Sequence, residues 1–153
     1  MRILLIEDES NKAKQVTECI NKIDEDMDLS SCKSYSSALV NLNQYSYDLI
    51  ILDMSLPLYD VDCEPQDTNE FDTFAGLEIL SELKRKKQMV KVIVFTAFDI
   101  LGENDNKMSL FELDEQIQEN FPELYLGCIH YNTSSLEWKT ELIKNIELLK
   151  KRM

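Results

Sequence analysis

The chain is organised by the stretch Asp48-Leu49-Ile50-Ile51-Leu52-Asp53, which Met54-Ser55-Leu56-Pro57 follows. An unbroken apolar run, rather than an alternating one, is typical of a strand that helices cover on both faces. Pro57 takes the chain out of regular extended structure shortly after the acid. We therefore expect Asp53 to stand at the carboxyl end of a central strand, where open α/β sheets bind their ligands.

The length and composition predict one globular domain, residues 1–153, with enough chain to bury a core. The apolar content of 44% and the charged content of 29% are ordinary for such a domain. The formal charge of −13 argues against a nucleic-acid partner and against an anionic membrane surface. No apolar stretch is long enough to span a bilayer and no leader precedes the first strand, which predicts a cytoplasmic protein.

The four cysteines lie far apart in the chain, with no paired spacing of the kind that zinc sites use. We expect free thiols, with Cys19, Cys32 and Cys128 partly buried. Cys63 lies in a polar segment and is predicted to be the exposed, reactive thiol. His130 is predicted to be a polar residue at a surface or a strand end.

Strand and helix patterns alternate five times, which predicts a five-stranded parallel sheet with helices on both faces. The predicted strands are Arg2–Ile6, Leu29–Lys33, Asp48–Asp53, Lys91–Ala97 and Leu124–Tyr131, and the predicted helices begin near Ser10, Ser36, Gly76, Met108 and Ser134. We expect Ser10 or Asn11 to cap the first helix, and Ser134 to form a capping box with Glu137 for the last. The buried stripe of the last helix is predicted to contain Leu136, Leu142, Ile143, Ile146 and Leu149.

Three of the predicted strands end in polar groups: Glu7-Asp8, Asp53 and Thr96. The carboxyl ends of strands converge at one edge of a doubly wound sheet. Carboxylates that close repel one another unless a cation lies among them, and oxygen ligands suit Mg²⁺. Asp53 is then a candidate nucleophile toward a phosphoryl group, with the Thr96 hydroxyl as a hydrogen-bond donor. The alternative is that these acids only cap loops and helix starts.

Four segments, taken in order, resemble the receiver domain of bacterial response regulators: Ile3-Leu4-Leu5-Ile6-Glu7-Asp8-Glu9, Tyr47 to Pro57, Gly76-Leu77-Glu78-Ile79-Leu80 and Val92-Ile93-Val94-Phe95-Thr96-Ala97. The resemblance implies a flavodoxin-like fold that takes a phosphoryl group from a histidine kinase onto an aspartate, here Asp53. The implied ligands of Mg²⁺ are Glu7, Asp8, Asp53 and the backbone carbonyl of Ser55. The resemblance also implies that Thr96 is the switch hydroxyl, and that Tyr131 is the aromatic residue that turns inward when Thr96 moves.

The chain departs from the family at the phosphate-binding lysine, which receivers carry after the last strand. Ser134 stands in its place, and Lys139 already belongs to the next helix. A hydroxyl supplies no positive charge, and charge-assisted hydrogen bonds are about twice as strong as neutral ones. We therefore expect weaker phosphoryl binding and weaker coupling to Thr96.

Two segments are longer than the family usually shows. One is an acidic insertion at about 58–75, which enters next to Asp53 and is placed to shield the site or to block a kinase. The other extends the fourth-helix region, at about 101–123. Both are predicted to belong to the single receiver-like domain.

Three functions remain open at this stage. The first is a single-domain response regulator, not an enzyme, that is phosphorylated on Asp53 and signals through a downstream protein. Its contact surface is predicted to be the fourth helix, the last strand and the last helix, including Tyr131. The second is an adapter that works without phosphorylation, which the missing lysine favours. The third is a Mg²⁺-dependent phosphohydrolase with an aspartate nucleophile, although Ser55 stands where such enzymes carry a general acid.

Overall fold

Within residues 1–60, 71–98, 100–102 and 107–153, which this computed structural model describes, five strands form one parallel sheet. They are β1 (Arg2–Ile6), β2 (Asp28–Cys32), β3 (Leu49–Leu52), β6 (Lys91–Thr96) and β9 (Tyr125–His130). Their order across the sheet is β2-β1-β3-β6-β9. All four residues of the central strand β3 are fully buried, as its unbroken apolar run predicts. The predicted flavodoxin-like, doubly wound sheet is confirmed.

The helices cover both faces of the sheet and bury a separate core on each. They are α1 (Ser10–Ile23), α2 (Tyr35–Gln44), α3 (Ala75–Arg85), α4 (Leu110–Asn120) and α5 (Glu137–Lys151). Helices α1 and α5 pack on one face, and α2, α3 and α4 pack on the other. Because successive side chains of a strand point to opposite faces, β6 gives Val92 and Val94 to the α2/α3/α4 core and Phe95 to the α1/α5 core.

Two short antiparallel hairpins lie outside the main sheet. In the first, β4 (Leu56–Pro57) pairs with β5 (Phe71–Asp72) and joins the two ends of the acidic insertion. Residues 61–70 lie outside the described part of the chain, so the predicted shielding of the site stays a prediction. In the second, β7 (Ile100–Leu101) pairs with β8 (Met108–Ser109). Helix α4 therefore begins at Leu110, two residues later than predicted, with Ser109 as its N-cap.

Two predicted helix caps are wrong. The carboxylate of Glu9, rather than Ser10 or Asn11, caps α1, because it accepts hydrogen bonds from two backbone N–H groups of the first turn. Helix α5 begins at Glu137 rather than near Ser134, and its N-cap residue makes no side-chain hydrogen bond. Leu136 consequently lies outside the helix and is exposed rather than part of the buried stripe.

The thiols and the histidine are placed largely as predicted. Cys19 and Cys32 are buried and Cys128 is half-buried, all as free thiols. Cys63 lies outside the described residues, so its exposure stays a prediction. His130 is the last residue of β9, and its Nε2 lies 3.2 Å from the carbonyl oxygen of Ala97. No helix in the described ranges is both long and apolar enough to cross a membrane.

The first turn of α3 packs directly on the residue that follows Asp53. The N–H of Gly76 donates to the carbonyl oxygen of Met54 at 3.0 Å. A Cβ at position 76 would lie 3.1 Å from the Met54 Cα and 2.9 Å from its Sδ. Glycine therefore permits a close approach that fixes the loop after β3.

We expect Gly76→Ala to lower the free energy of unfolding by about 1–3 kcal/mol, because the new methyl group meets a backbone atom that cannot yield cheaply. Urea denaturation measures this change. Ser81→Ala, at an exposed position of the same helix, is the matched control and should change stability by no more than about 0.5 kcal/mol. A gain in the free energy of unfolding of about 1 kcal/mol is the usual effect of replacing glycine by alanine in a helix. Such a gain would show that the loop after β3 moves away from the new methyl group.

Candidate functional site

Two buried acids are brought side by side by the pairing of β1 with β3. The strands run parallel with Ile6 opposite Leu52, so Glu7 and Asp53 follow at the same height. The N–H of Asp53 donates to the carbonyl oxygen of Ile6 at 3.0 Å. Glu7 is 3% exposed and Asp53 6% exposed. The strand ends therefore converge as the sequence predicts.

Asp8 completes a three-carboxylate cluster. One carboxylate oxygen from each of Glu7, Asp8 and Asp53 lies within 4.8 Å of the others. Asp8 is only half-buried, which opens the cluster to solvent on one side. The sequence-based alternative, in which the acids merely cap loops, does not account for two carboxylates buried together.

Asp53 has an unsatisfied oxygen. Its Oδ1 atom is buried and has no hydrogen-bond partner in the described structure. Buried carboxylate oxygens are normally paired, so an unpaired one needs an explanation, and a bound ion is one such explanation. Together with Glu7 and Asp8, Asp53 offers the hard oxygen ligands that Mg²⁺ prefers. The residues present therefore fit a divalent cation.

Lys12 is the residue that sequence reasoning missed. Its side chain is only 4% exposed, and its Nζ lies 2.6 Å from Glu7 Oε1 and 3.5 Å from Asp53 Oδ2. The same Nζ donates to the carbonyl oxygen of Phe95 at 3.2 Å. It also lies 5.1 Å from the centre of the Phe95 ring and 5.7 Å from that of Tyr131. A buried ammonium thus stands inside the acidic cluster.

The local sequence explains why Lys12 points inward. Helix α1 begins three residues after Glu7, and Glu9 accepts the Lys12 N–H at 2.9 Å, which fixes the first turn. Lys12 lies four residues before Val16, so it occupies the buried stripe of α1. The sequence signal for this inward placement is a lysine within the apolar stripe of a helix that follows an acidic strand end.

Burial and mutual repulsion alter the proton affinity of the acids. Burial, followed by the charge of Asp53, raises the pKa of Glu7 to about 8, although Lys12 opposes the rise. Burial also raises the pKa of Asp53, although the charge of Lys12 opposes the rise. Burial and the charge of Glu7 raise the pKa of Asp8. With no cation beyond Lys12, Glu7 therefore holds its proton more tightly than an exposed glutamate does.

Thr96 lies at the same edge of the sheet, at the end of β6. It is fully buried, and its Oγ1 accepts a hydrogen bond from the N–H of Phe98 at 3.3 Å. Its hydroxyl hydrogen is still available for donation. The Thr96 carbonyl oxygen accepts from the N–H of Tyr131 at 2.8 Å, which ties β6 to the end of β9.

The Tyr131 side chain lies inside the protein, and its switch role stays a prediction. Its ring packs in the α1/α5 core against Phe95 and Trp138, and its hydroxyl donates to Gln15 Oε1 at 3.1 Å. Thr96 follows Phe95, so its side chain points to the opposite face of the sheet. Since Tyr131 is only 5% exposed, including it in a contact surface is wrong.

The roles predicted for two residues that follow the strand ends, Ser55 and Ser134, stay predictions. Ser55 follows Asp53 by two residues, just before β4, and the role of its carbonyl oxygen is untested. Ser134 is exposed, and its hydroxyl donates to Asn132 Oδ1 at 2.7 Å. The Nζ of Lys139 lies 5.5 Å from the centre of the Trp138 ring.

A five-stranded flavodoxin-like sheet is the fold that receiver domains share, and solved receiver domains superimpose on this chain. The chain superimposes on the signal receiver domain of a putative LuxO repressor protein from Vibrio parahaemolyticus with a TM-score of 0.65 and 22% identity, covering 99% of this chain and 90% of that one. Response regulator TrrA of Thermotoga maritima, solved with Mg²⁺-BeF, gives a TM-score of 0.57 and 20% identity, covering 97% of both chains. The protein has the receiver-domain fold.

Two curated relatives match along almost their whole length. The chain is 24% identical over 147 residues to the Detocs response regulatory protein DtcB of Enterobacter cloacae (strain JD6301), covering 95% of this chain and 98% of the relative. It is 29% identical over 148 residues to the uncharacterized protein y4jR of Sinorhizobium fredii (strain NBRC 101917 / NGR234), covering 97% of both. No family model matches the chain. The predicted resemblance to response-regulator receivers is confirmed.

Proposed function

We propose that this protein is a cytoplasmic response regulator that accepts a phosphoryl group on Asp53 from a histidine kinase and signals through a downstream protein. The observation that carries the proposal is the buried, unpaired Oδ1 of Asp53 among three carboxylates. The receiver-domain fold and the similarity to a response regulatory protein support it. In this proposal the domain is a signalling module rather than an enzyme with turnover.

Mg²⁺ is the cofactor of this proposal. Its ligands would be Glu7, Asp8, Asp53 and the backbone carbonyl of Ser55. When bound, the ion offsets the negative charge of the acids and of an incoming phosphoryl group. The Mg²⁺-BeF complex of the TrrA neighbour supports this assignment by analogy.

The chain's own residues have distinct tasks in the transfer. A carboxylate oxygen of Asp53 attacks phosphorus, the bond between phosphorus and the donor histidine nitrogen breaks, and that nitrogen keeps the electron pair. In this proposal Thr96, which is fully buried at the end of β6, donates its hydroxyl hydrogen to a phosphoryl oxygen. The buried walls of β1, β3 and β6 exclude water from the acyl phosphate on its inner side.

Incubation with Mg²⁺ and acetyl phosphate, followed by intact-mass measurement, tests the proposal. We expect one phosphoryl group on the wild-type protein and none on Asp53→Asn. Asp26→Asn, a change at an exposed turn, is the control and should be modified like the wild type. If Asp53→Asn is modified as much as the wild type, another residue accepts the phosphoryl group.

A second candidate is the phosphorylation-independent adapter, because Lys12 already gives Asp53 and Glu7 a counter-ion. Under this candidate the wild-type protein acquires no phosphoryl group, and a protein partner binds the wild type and Asp53→Asn equally well. The contact surface in either case is proposed to lie on α4, β9 and α5, without the buried Tyr131. Exposed Phe111 on α4 is a candidate anchor of that surface.

A further inference from the structure

Lys12 is a buried cation beside the candidate phosphoacceptor. We infer that Lys12, on α1, binds the phosphoryl group on Asp53 and supplies from the first helix the positive charge that the loop after β9 lacks. The inference rests on the proposed function, since it needs phosphorylation of Asp53. It assigns a phosphoryl-binding residue at a position that the sequence motifs do not mark.

The donors of the ammonium group support this role. An ammonium carries three N–H donors. One faces Glu7 Oε1 at 2.6 Å and another faces the carbonyl oxygen of Phe95 at 3.2 Å. The third contact, to Asp53 Oδ2 at 3.5 Å, is longer than a well-formed hydrogen bond. This donor is therefore directed at the acceptor carboxylate and is available to an oxygen of a group attached there.

The negative charge of the site also favours such a cation. Phosphorylation replaces a carboxylate of charge −1 by an acyl phosphate of about −2, next to Glu7 and Asp8. Among the described residues, Lys12 is the one whose ammonium forms ion pairs with acids of the cluster. A buried charge without a partner is strongly unfavourable, so the position of Lys12 bears directly on whether the modified state is stable.

The loop after β9 does not offer a substitute. The Ser134 hydroxyl is exposed and donates to Asn132, and the Lys139 ammonium lies against the Trp138 ring. At the end of β9 the chain instead presents Tyr131, whose ring packs within 5.7 Å of the Lys12 Nζ and helps to enclose it. The aromatic wall and the helix-borne lysine together form the inner side of the site.

The Lys12 ammonium also contacts the strand that carries Thr96. The carbonyl of Phe95 holds Nζ at the residue directly before Thr96. A shift of the ammonium towards a phosphoryl oxygen therefore alters a contact to the end of β6. This provides a direct physical link between Asp53 and the strand that carries Thr96.

The test compares Lys12→Met with Lys14→Met, a matched control at an exposed position of the same helix. With Mg²⁺ and acetyl phosphate, Asp53 attacks phosphorus, the phosphorus–oxygen bond breaks, and acetate leaves with the electron pair. Because a charge-assisted hydrogen bond is lost, we expect Lys12→Met to form the adduct about 10- to 100-fold more slowly than the wild type. Lys14→Met should match the wild type. Lys12→Arg, which keeps the charge, should recover part of the rate.

A second measurement separates phosphoryl binding from metal binding. Titration calorimetry with Mg²⁺ alone should show that Lys12→Met binds the metal at least as tightly as the wild type, because removal of a cation does not weaken a cation site. Circular dichroism checks that each variant is folded, and Lys12→Gln replaces Lys12→Met if the latter is not. Mg²⁺ affinity that falls together with the rate would overturn the inference, since Lys12 would then act by holding the ligands.

The remaining outcomes are distinct. If the adduct forms on Lys12→Met as fast as, or faster than, on the wild type, the inference fails while the proposed function stands. Lys12 would then block the site rather than bind the phosphoryl group. If neither the wild type nor any Lys12 variant is modified, the proposed function fails, and the inference fails with it.

Discussion

Trp138→Ala is expected to lower the free energy of unfolding by about 3–5 kcal/mol, the usual loss when a buried aromatic residue is truncated. Trp138 is 2% exposed. Its ring centre lies 5.4 Å from that of Phe95 and 5.3 Å from that of Tyr131, in tilted and edge-on arrangements that favour aromatic pairs. Removing the indole leaves a cavity between α5 and the sheet that these two rings cannot fill.

Thermal or urea unfolding followed by circular dichroism measures this loss. A change of that size corresponds to a fall of roughly 10 °C in melting temperature for a domain of this length. Phe111→Ala is the control, because Phe111 is 70% exposed and its truncation should cost no more than about 0.5 kcal/mol. A loss below about 1 kcal/mol for Trp138→Ala would mean that the three rings do not pack as described.

The cluster also bears on the site. Tyr131 and Phe95 enclose the Lys12 ammonium, and Trp138 supports both rings from α5. We therefore expect Trp138→Ala to slow the modification of Asp53 as well, measured well below its melting temperature. The surface variant should leave that rate unchanged.

The second large effect is the pH dependence of Mg²⁺ binding. Burial and the charge of Asp53 raise the pKa of Glu7 to about 8, and a metal ligand must lose its proton before it coordinates. The fraction of ionised Glu7 rises roughly 50-fold between about pH 6 and about pH 8 for a single group with this pKa. We expect the affinity for Mg²⁺ to rise by about the same factor.

The free energy of unfolding depends on pH in the opposite sense: it falls as the pH rises. The folded protein holds the Glu7 proton more tightly than the unfolded chain, whose glutamate has a pKa of 4.5. The stabilisation from this group is therefore complete below the unfolded pKa and is lost as the pH rises to about 8. Added Mg²⁺ should restore stability at the upper end of this range.

Calorimetric titration across this pH range, with Glu7→Gln as the comparison, checks the prediction. Glutamine has no proton to lose, so its weaker Mg²⁺ affinity should depend far less on pH. Affinity of the wild-type protein that stays flat over the same range would show that Glu7 loses no proton when the metal binds.

The candidate site shows which features sequence patterns could predict. The carboxyl ends of β1 and β3 could be located because each strand is an unbroken apolar run that ends at an acid. Glu7 and Asp53 were therefore assigned to one sheet edge correctly. Lys12 was not assigned, because its contacts to Glu7 and Asp53 join residues 5 and 41 positions apart, and only helix packing brings the second pair together.

The ends of elements were less predictable than their existence. The sequence suggested a serine cap for α5, but that helix begins at Glu137 and its N-cap residue, Leu136, makes no side-chain hydrogen bond. Tyr131 was expected to turn inward when Thr96 moves, and that switch stays a prediction. The register of β9 against β6, which pairs Thr96 with His130, sets the face of the sheet on which each side chain lies. A one-residue difference in register reverses the face of a side chain, and local patterns do not specify that register.

The amino-acid sequence alone determined the parallel sheet, the two layers of helices and the acidic strand ends, because periodicity and apolar runs depend on neighbours in the chain. Tertiary structure alone decided that a lysine of α1 enters the cluster, that Tyr131 covers it and that one oxygen of Asp53 has no partner. These features depend on distances between segments far apart in the chain, which packing sets.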